Sequence, residues 1–242
     1  MRISNGLSSP TWKFLRIFQW QVPVCNCPSR TTPLLIHETL PIILKKTLRK
    51  LILLVLILNL SCKSQFSTPE LKANFSADQI ADLKKIPDFF EKQICENDQT
   101  NFKDCFETIL PDLIDLGYEP IFERVDFQKQ GELYQSIGKD TFKEIWNFCL
   151  STNSQTNQKH QSLCARGIDG KYANFLLTIG QNNKFVKEYA DRLIASGDFE
   201  SSTLLQQWIY TNKVSFDLEN PNIKLIIAIH FLSINDQEKR TE

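Results

Sequence analysis

The residues from Lys45 to Cys62, KKTLRKLILLVLILNLSC, decide which part of this 242-residue chain has to fold. Lys45, Lys46, Arg49 and Lys50 bring positive charge to the start of the run. Leu51 to Leu60 then forms a segment of ten residues that is apolar except for Asn59. A membrane-spanning helix needs about 20 apolar residues, so this run has the length of a signal-peptide core. Ser61 places a small residue directly before Cys62, where a processing enzyme needs room to approach the backbone. Two other readings compete: a buried apolar helix that ends in cysteine, and a short membrane anchor left uncut.

The arrangement resembles the lipobox of bacterial lipoproteins, in which the cysteine thiol is diacylated, the peptide before it is cut, and that cysteine becomes the first mature residue. The resemblance implies that residues 44–61 are a signal peptide and that Cys62 is the lipidation site. One position departs from the usual pattern: Asn59 stands where Leu is common, with Leu58 one place further out. Looser lipoboxes of this kind are familiar from spirochaetes.

Residues 1–43 are unusual ahead of such a segment, because Leu44 to Ser61 already makes 18 residues, inside the usual range of about 15–30. They hold Trp12, Phe18 and Trp20 but no sustained apolar period. Cys25 and Cys27 are separated by one residue, too close for a zinc knuckle. Met1 is the only methionine, so a true start near Leu44 requires a non-AUG codon. The expectation is a gene-model extension or a disordered segment.

Removing residues 1–62 changes the electrostatics. The whole chain carries 28 basic and 28 acidic residues; residues 1–62 hold 8 and 1 of them, leaving 20 and 27. A net charge of about −7 argues against nucleic acid, whose phosphates need a basic face. The 180 residues after Cys62 suffice for one domain with a sizeable core.

Those residues contain Cys95, Cys105, Cys149 and Cys164. In an exported chain, an even count reads as two disulfides. Three connectivities are possible. Cys95–Cys105 and Cys149–Cys164 are favoured, since each pair brackets a short polar stretch between amphipathic segments. A four-thiolate metal site competes, but nine and fourteen intervening residues lack the close pairs that zinc sites use.

The rest reads as helix. KSQFSTPELKAN is polar and interrupted by Pro69, so residues 62–75 are expected to be a flexible tether, with a helical domain over 76–242. Ser76 and Gln79 form a capping box, and Pro87 should interrupt or restart the helix that follows. Phe102, Phe106, Ile109 and Leu113 share one face of a second helix, kinked at Pro111 and ended by Gly117. Pro120 opens a third segment, and Gly131 and Gly138 bracket a fourth. Asp140 is expected to cap a helix bearing Phe142, Ile145, Trp146 and Cys149. STNSQTNQKHQS, with no apolar residue from Ser151 to Ser162, reads as a loop. Short helical faces follow at Tyr172 to Ile179, Phe185 to Ile194 and Leu204 to Ile209. Asn220 and Pro221 open IKLIIAIHFL, a buried helix for which a strand is the rival because of its β-branched residues.

Chemistry is sparse. His160 lies in the polar stretch and His230 in the apolar one, where a satisfied core histidine is the ordinary explanation. No metalloprotease or serine-hydrolase motif is recognisable. Gly167-Ile168-Asp169-Gly170-Lys171 lacks phosphate-loop spacing and reads as a turn. Asp112, Asp115, Glu119 and Glu123 recur every three or four residues, the spacing of a solvated face. The aromatics Phe142, Trp146, Tyr172, Phe175, Trp208 and Tyr210 sit among aliphatics, as core residues do.

A relaxed lipobox, a polar tether and a helical domain with four cysteines resemble the small four-cysteine lipoproteins of spirochaetes. That resemblance implies an envelope protein on the outer membrane, and Lys63 agrees with it, since the enteric inner-membrane retention signal is Asp at that place. The expected fold is therefore all-α: an irregular multi-helix bundle stapled by two disulfides. The expected function is a lipid-anchored, non-catalytic binding or structural domain, held to the membrane by acyl chains on Cys62 and meeting an envelope or host protein. No cofactor, metal or nucleic acid is expected. Two alternatives stand beside it: an exported enzyme using Glu119, Glu123 and His160, and a periplasmic carrier whose Phe-rich helices enclose an apolar ligand.

Overall fold

The computed structural model describes residues 66–95, 101–152 and 159–240. Cys62, the signal-peptide run and residues 1–43 lie outside the described residues.

The architecture follows from one helix, Pro221–Lys239. IKLIIAIHFL is apolar on every face, and a helix of that kind must be covered on every face. From Asn222 to Asp236 only Lys224 escapes burial. Asn220 starts the helix by accepting from the Asn222 N–H, and Pro221 fills its first turn, where the missing N–H costs nothing. The strand rival therefore fails for a reason of scale: a helix of 19 residues buries this run on every side from Asn222 to Asp236, apart from Lys224. Its number is set by chain order, so it is α10 below.

The covering elements come before it. They are α1 (Pro69–Asn74), α2 (Ala77–Ile94), α3 (Phe102–Asp115), α4 (Glu119–Arg124), α5 (Phe127–Ser136) and α6 (Lys139–Lys143), then strands β1 (Trp146–Thr152) and β2 (Lys159–Ala165). A 3₁₀ turn at Gly167–Asp169 leads to α7 (Lys171–Gly180), α8 (Lys184–Ser196) and α9 (Leu204–Thr211). Phe90 of α2 stacks on Phe231 at 5.8 Å, and Phe106 of α3 reaches the same ring at 5.8 Å. Tyr189 of α8 bonds His230, Gln130 of α5 bonds the Leu232 carbonyl, and Gln237 bonds the Leu163 carbonyl on β2. Each fully buried Phe or Leu contributes about 1.5–3 kcal/mol of transfer free energy, so the stack of Phe90, Phe102, Phe106 and Phe231 is a main source of stability.

Both expected disulfides are present. Cys95–Cys105 spans the segment between α2 and α3 with Cα atoms 5.7 Å apart, and Cys149–Cys164 crosses the hairpin at 5.9 Å. The expected capping box also forms: Gln79 N–H donates to Ser76 Oγ at 3.3 Å, and Ser76 N–H donates to Gln79 Oε1 at 3.1 Å. Gly117 and Gly197 follow helix ends at φ +69° and +72°, the left-handed geometry that suits glycine.

Four expectations change. The tether does not extend to residue 75. Thr68 caps α1 and also donates to Asn222 Oδ1 at 2.7 Å, Leu71 and Phe75 are buried, and Asn222 Nδ2 donates to Glu70 at 2.9 Å. Pro87 leaves α2 continuous, because one lost backbone bond is offset by burial of the ring beside Ile86 and Phe90. Gly131 lies inside α5 instead of bounding a segment.

The fourth change is the largest. Helix α6 stops at Lys143 with Gly138 at its N-cap, and Trp146, expected on that helix, begins β1. The stretch read as a loop from Ser151 to Ser162 contributes Lys159 to Ser162 to β2. Antiparallel pairing sets Trp146 opposite Ala165 and Phe148 opposite Leu163, and the hairpin buries Trp146 with Ser162 to Ala165 while Phe148 and Leu150 stay exposed. That pairing, reinforced by the cross-strand disulfide, outweighs the helical spacing of Phe142, Ile145, Trp146 and Cys149. The fold remains a helical bundle stapled by two disulfides, with one two-stranded sheet among the described residues.

Candidate functional site

An open groove of about 670 Å³ lies where α5, α6 and β1 meet. Tyr134 comes from α5, Phe142 from α6, and Trp146 and Phe148 from β1. Ring centroids are 5.6 Å apart for Tyr134 and Phe142, 5.1 Å for Tyr134 and Trp146, 5.2 Å for Phe142 and Trp146, and 6.0 Å for Phe142 and Phe148. These separations fall in the range of favourable tilted and edge-on aromatic contacts. Phe148 remains 50% exposed, and Leu150, two residues further on the same face of β1, is 75% exposed.

The polar handles of the floor are engaged. Trp146 Nε1 donates to Ser233 Oγ at 2.8 Å, and Ser233 in turn donates to the Ile229 carbonyl at 2.6 Å. Tyr134 Oη accepts from Gln130 Nε2 at 2.7 Å, and burial raises its pKa well above the ordinary tyrosine value. Asp82 holds α6 in place: it accepts from the Gly138 N–H and the Thr141 hydroxyl, both at 2.9 Å, and from Lys85 at 2.7 Å. Partial burial pushes the Asp82 carboxyl up, but these donors outweigh it and hold the pKa below the usual value.

The rim is cationic. Lys139, Lys143 and Arg166 line the groove, no acidic residue does, and none of the three makes an ion pair among the described residues. Arg240 lies beside the groove with its guanidinium 5.2 Å from the Phe148 ring, but its charge is matched. The buried Asp236 carboxylate clamps it at 2.7 and 2.8 Å, which raises the Arg240 pKa further. Against a net charge of about −7, this is a local inversion of sign.

The residues singled out for chemistry are dispersed. Glu119 and Glu123 are exposed on α4, His160 sits on β2, and none of the three lines the groove. Asp112 and Asp115 are exposed on α3. Gly167 to Lys171 forms the 3₁₀ turn and the start of α7, as expected. Among the described residues, no three His, Cys, Asp or Glu side chains are placed to hold a metal ion. No helix among them is long and apolar enough to cross a membrane.

His230 is a core histidine. Tyr118 Oη donates to the Ser202 carbonyl at 2.8 Å, so it accepts from His230 Nε2, 2.9 Å away. Nδ1 is then left to accept from Tyr189 Oη at 3.1 Å. Burial lowers the His230 pKa to about 3 and pushes Tyr118 up to about 12.

Sequence reasoning named Phe142 and Trp146 as core and passed over Tyr134, Phe148, Lys139, Lys143 and Arg166. The available signal was the alternation Trp146, Phe148, Leu150, which marks a strand with one apolar face. No protein-family model matches this chain, and neither do any of the curated proteins or solved structures.

Proposed function

We propose that this is a lipid-anchored protein of the cell envelope whose helical domain is a non-catalytic binding module. Acyl chains on Cys62 hold it at the membrane, in the manner of the four-cysteine lipoproteins it resembles. A partner engages the groove of Tyr134, Phe142, Trp146 and Phe148. The groove carries this reading: an apolar floor with few polar groups at its edge is the anatomy of a binding site. The acidic surface elsewhere supports a protein or membrane setting over nucleic acid.

Two measurements test it. Cys62→Ala should abolish acyl labelling and release the protein from the detergent phase; unchanged partitioning sinks the anchor. A photo-crosslinking residue at Phe148 should give a discrete adduct in intact cells, whereas the same residue at Tyr210, exposed on α9, should not. Equal crosslinking from both positions sinks the groove as the binding face.

A further inference from the structure

We infer that the groove receives an extended peptide segment of a partner protein, flanked by acidic residues, which adds to β1 as a third strand. The inference rests on the reading of the domain as a binding module, and names the partner's chemistry.

The main-chain geometry carries the argument. The outer edge of β2 is already covered: the Leu163 carbonyl accepts from Gln237 Nε2 at 2.8 Å, and the Ala165 N–H donates to Asp198 Oδ1 at 3.4 Å. Leu163 therefore directs its main-chain groups away from β1. In an antiparallel ladder its opposite residue, Phe148, must then direct its N–H and C=O toward the other edge, and so must Leu150, two residues on. Neither residue's main-chain groups have a partner among the described residues. An edge that no described residue covers, bearing Phe148 and Leu150, is a template for another strand, and natural proteins block such edges unless they are used.

Side chains set the specificity. A strand paired with β1 sends every second residue onto the face that carries Trp146, Phe148 and Leu150, which opens into the groove. Apolar residues there meet the aromatic floor. The cations at Lys139, Lys143 and Arg166 favour acidic residues at the flanks. A lipid surface offers no strand with which to satisfy the unpaired backbone groups.

The test uses the full chain, detergent-extracted with both disulfides intact, and the peptide acetyl-Glu-Asp-Val-Thr-Phe-Thr-Val-Asp-Glu-amide, followed by calorimetry. Its lysine-flanked counterpart should bind at least about tenfold more weakly, and so should the wild-type peptide to Lys139→Glu/Lys143→Glu. Leu150→Pro removes an outward N–H without breaking a bond to β2, and should weaken binding about tenfold; Leu150→Thr should stay within about twofold. If Leu150→Pro fails to fold by circular dichroism, the same peptide N-methylated at alternate residues, in both registers, takes its place. Absence of binding at millimolar peptide, or equal binding by the N-methylated forms, overturns the inference. So does tight binding to phosphatidylglycerol vesicles without peptide binding, or self-association that Leu150→Pro abolishes. Crosslinking at Phe148 that persists without peptide affinity overturns strand addition and leaves the binding module standing.

Discussion

The Trp146 indole N–H donates to Ser233 Oγ at 2.8 Å, joining the floor of the groove to the helix at the centre of the domain. Both residues are fully buried. A donor in that position has no water to fall back on. Ser233→Ala should cost about 1–3 kcal/mol in urea unfolding, whereas Trp146→Phe with Ser233→Ala should recover part of that loss by removing both partners. Wild-type stability of Ser233→Ala would show that the bond contributes nothing.

His230 makes the domain sensitive to acid. Its pKa falls from about 6.5 in the unfolded chain to about 3 in the fold, because burial disfavours the charged ring. The unfolded state thus binds more protons between these values. The stabilisation is complete above about pH 6.5 and declines as pH falls toward 3, by up to about 1.4 kcal/mol per pH unit from this one group. His230→Gln, compared with wild type by denaturation at pH 7 and pH 4.5, should show a shallower decline. Parallel slopes would refute the assignment.

Asp82 is the link between α2 and α6, and its removal should be felt at the groove. Asp82→Ala frees the Gly138 N–H and the Thr141 hydroxyl together, for an expected loss of about 1–3 kcal/mol. The lowered carboxyl pKa gives a second readout: its stabilisation is present above the unfolded value and fades as pH falls through the folded one. Gly138→Ala should act on the same link, since a Cβ there would stand 2.8 Å from Asp82 Oδ2. Wild-type thermal midpoints for both variants would contradict this account.

The two disulfides should separate in function. Each closes a loop of 10 or 15 residues, worth about 2–4 kcal/mol on the chain-entropy model. Removing Cys149–Cys164 by double alanine substitution should also loosen β1, shifting Trp146 fluorescence and weakening the groove. Removing Cys95–Cys105 should reduce stability and leave the groove intact. Identical fluorescence changes in both variants would argue against that division.

Much of this fold was legible because local chemistry and tertiary need agree. Ser76 with Gln79, Gly197 after Ser196, and Asn220 with Pro221 end or start helices by satisfying backbone groups nearby, and such signals are written in a few consecutive residues. The buried nature of residues 223–232 was equally plain. The hairpin was obscured because Phe142, Ile145, Trp146 and Cys149 happen to fit a helical face, while the polar residues from Ser151 hid the second strand. Pro69 suggested a tether because nothing local shows that Glu70 and Thr68 will find Asn222, about 150 residues away. The groove escaped for the same reason: Tyr134, Phe142 and Phe148 are unremarkable in sequence, and become a site only when α5, α6 and β1 are set side by side.

The central position of α10 also bears on how the chain is made. Phe90, Phe106, Gln130, Tyr189 and Leu163 all find their partners on residues 229–237, which leave the ribosome after every one of them. Until that helix arrives, Phe90 and Phe106 have each other but lack the Phe231 ring that joins them to the rest of the core. The helix on which the other elements pack is thus made after them, and the core closes in full only once α10 is in place.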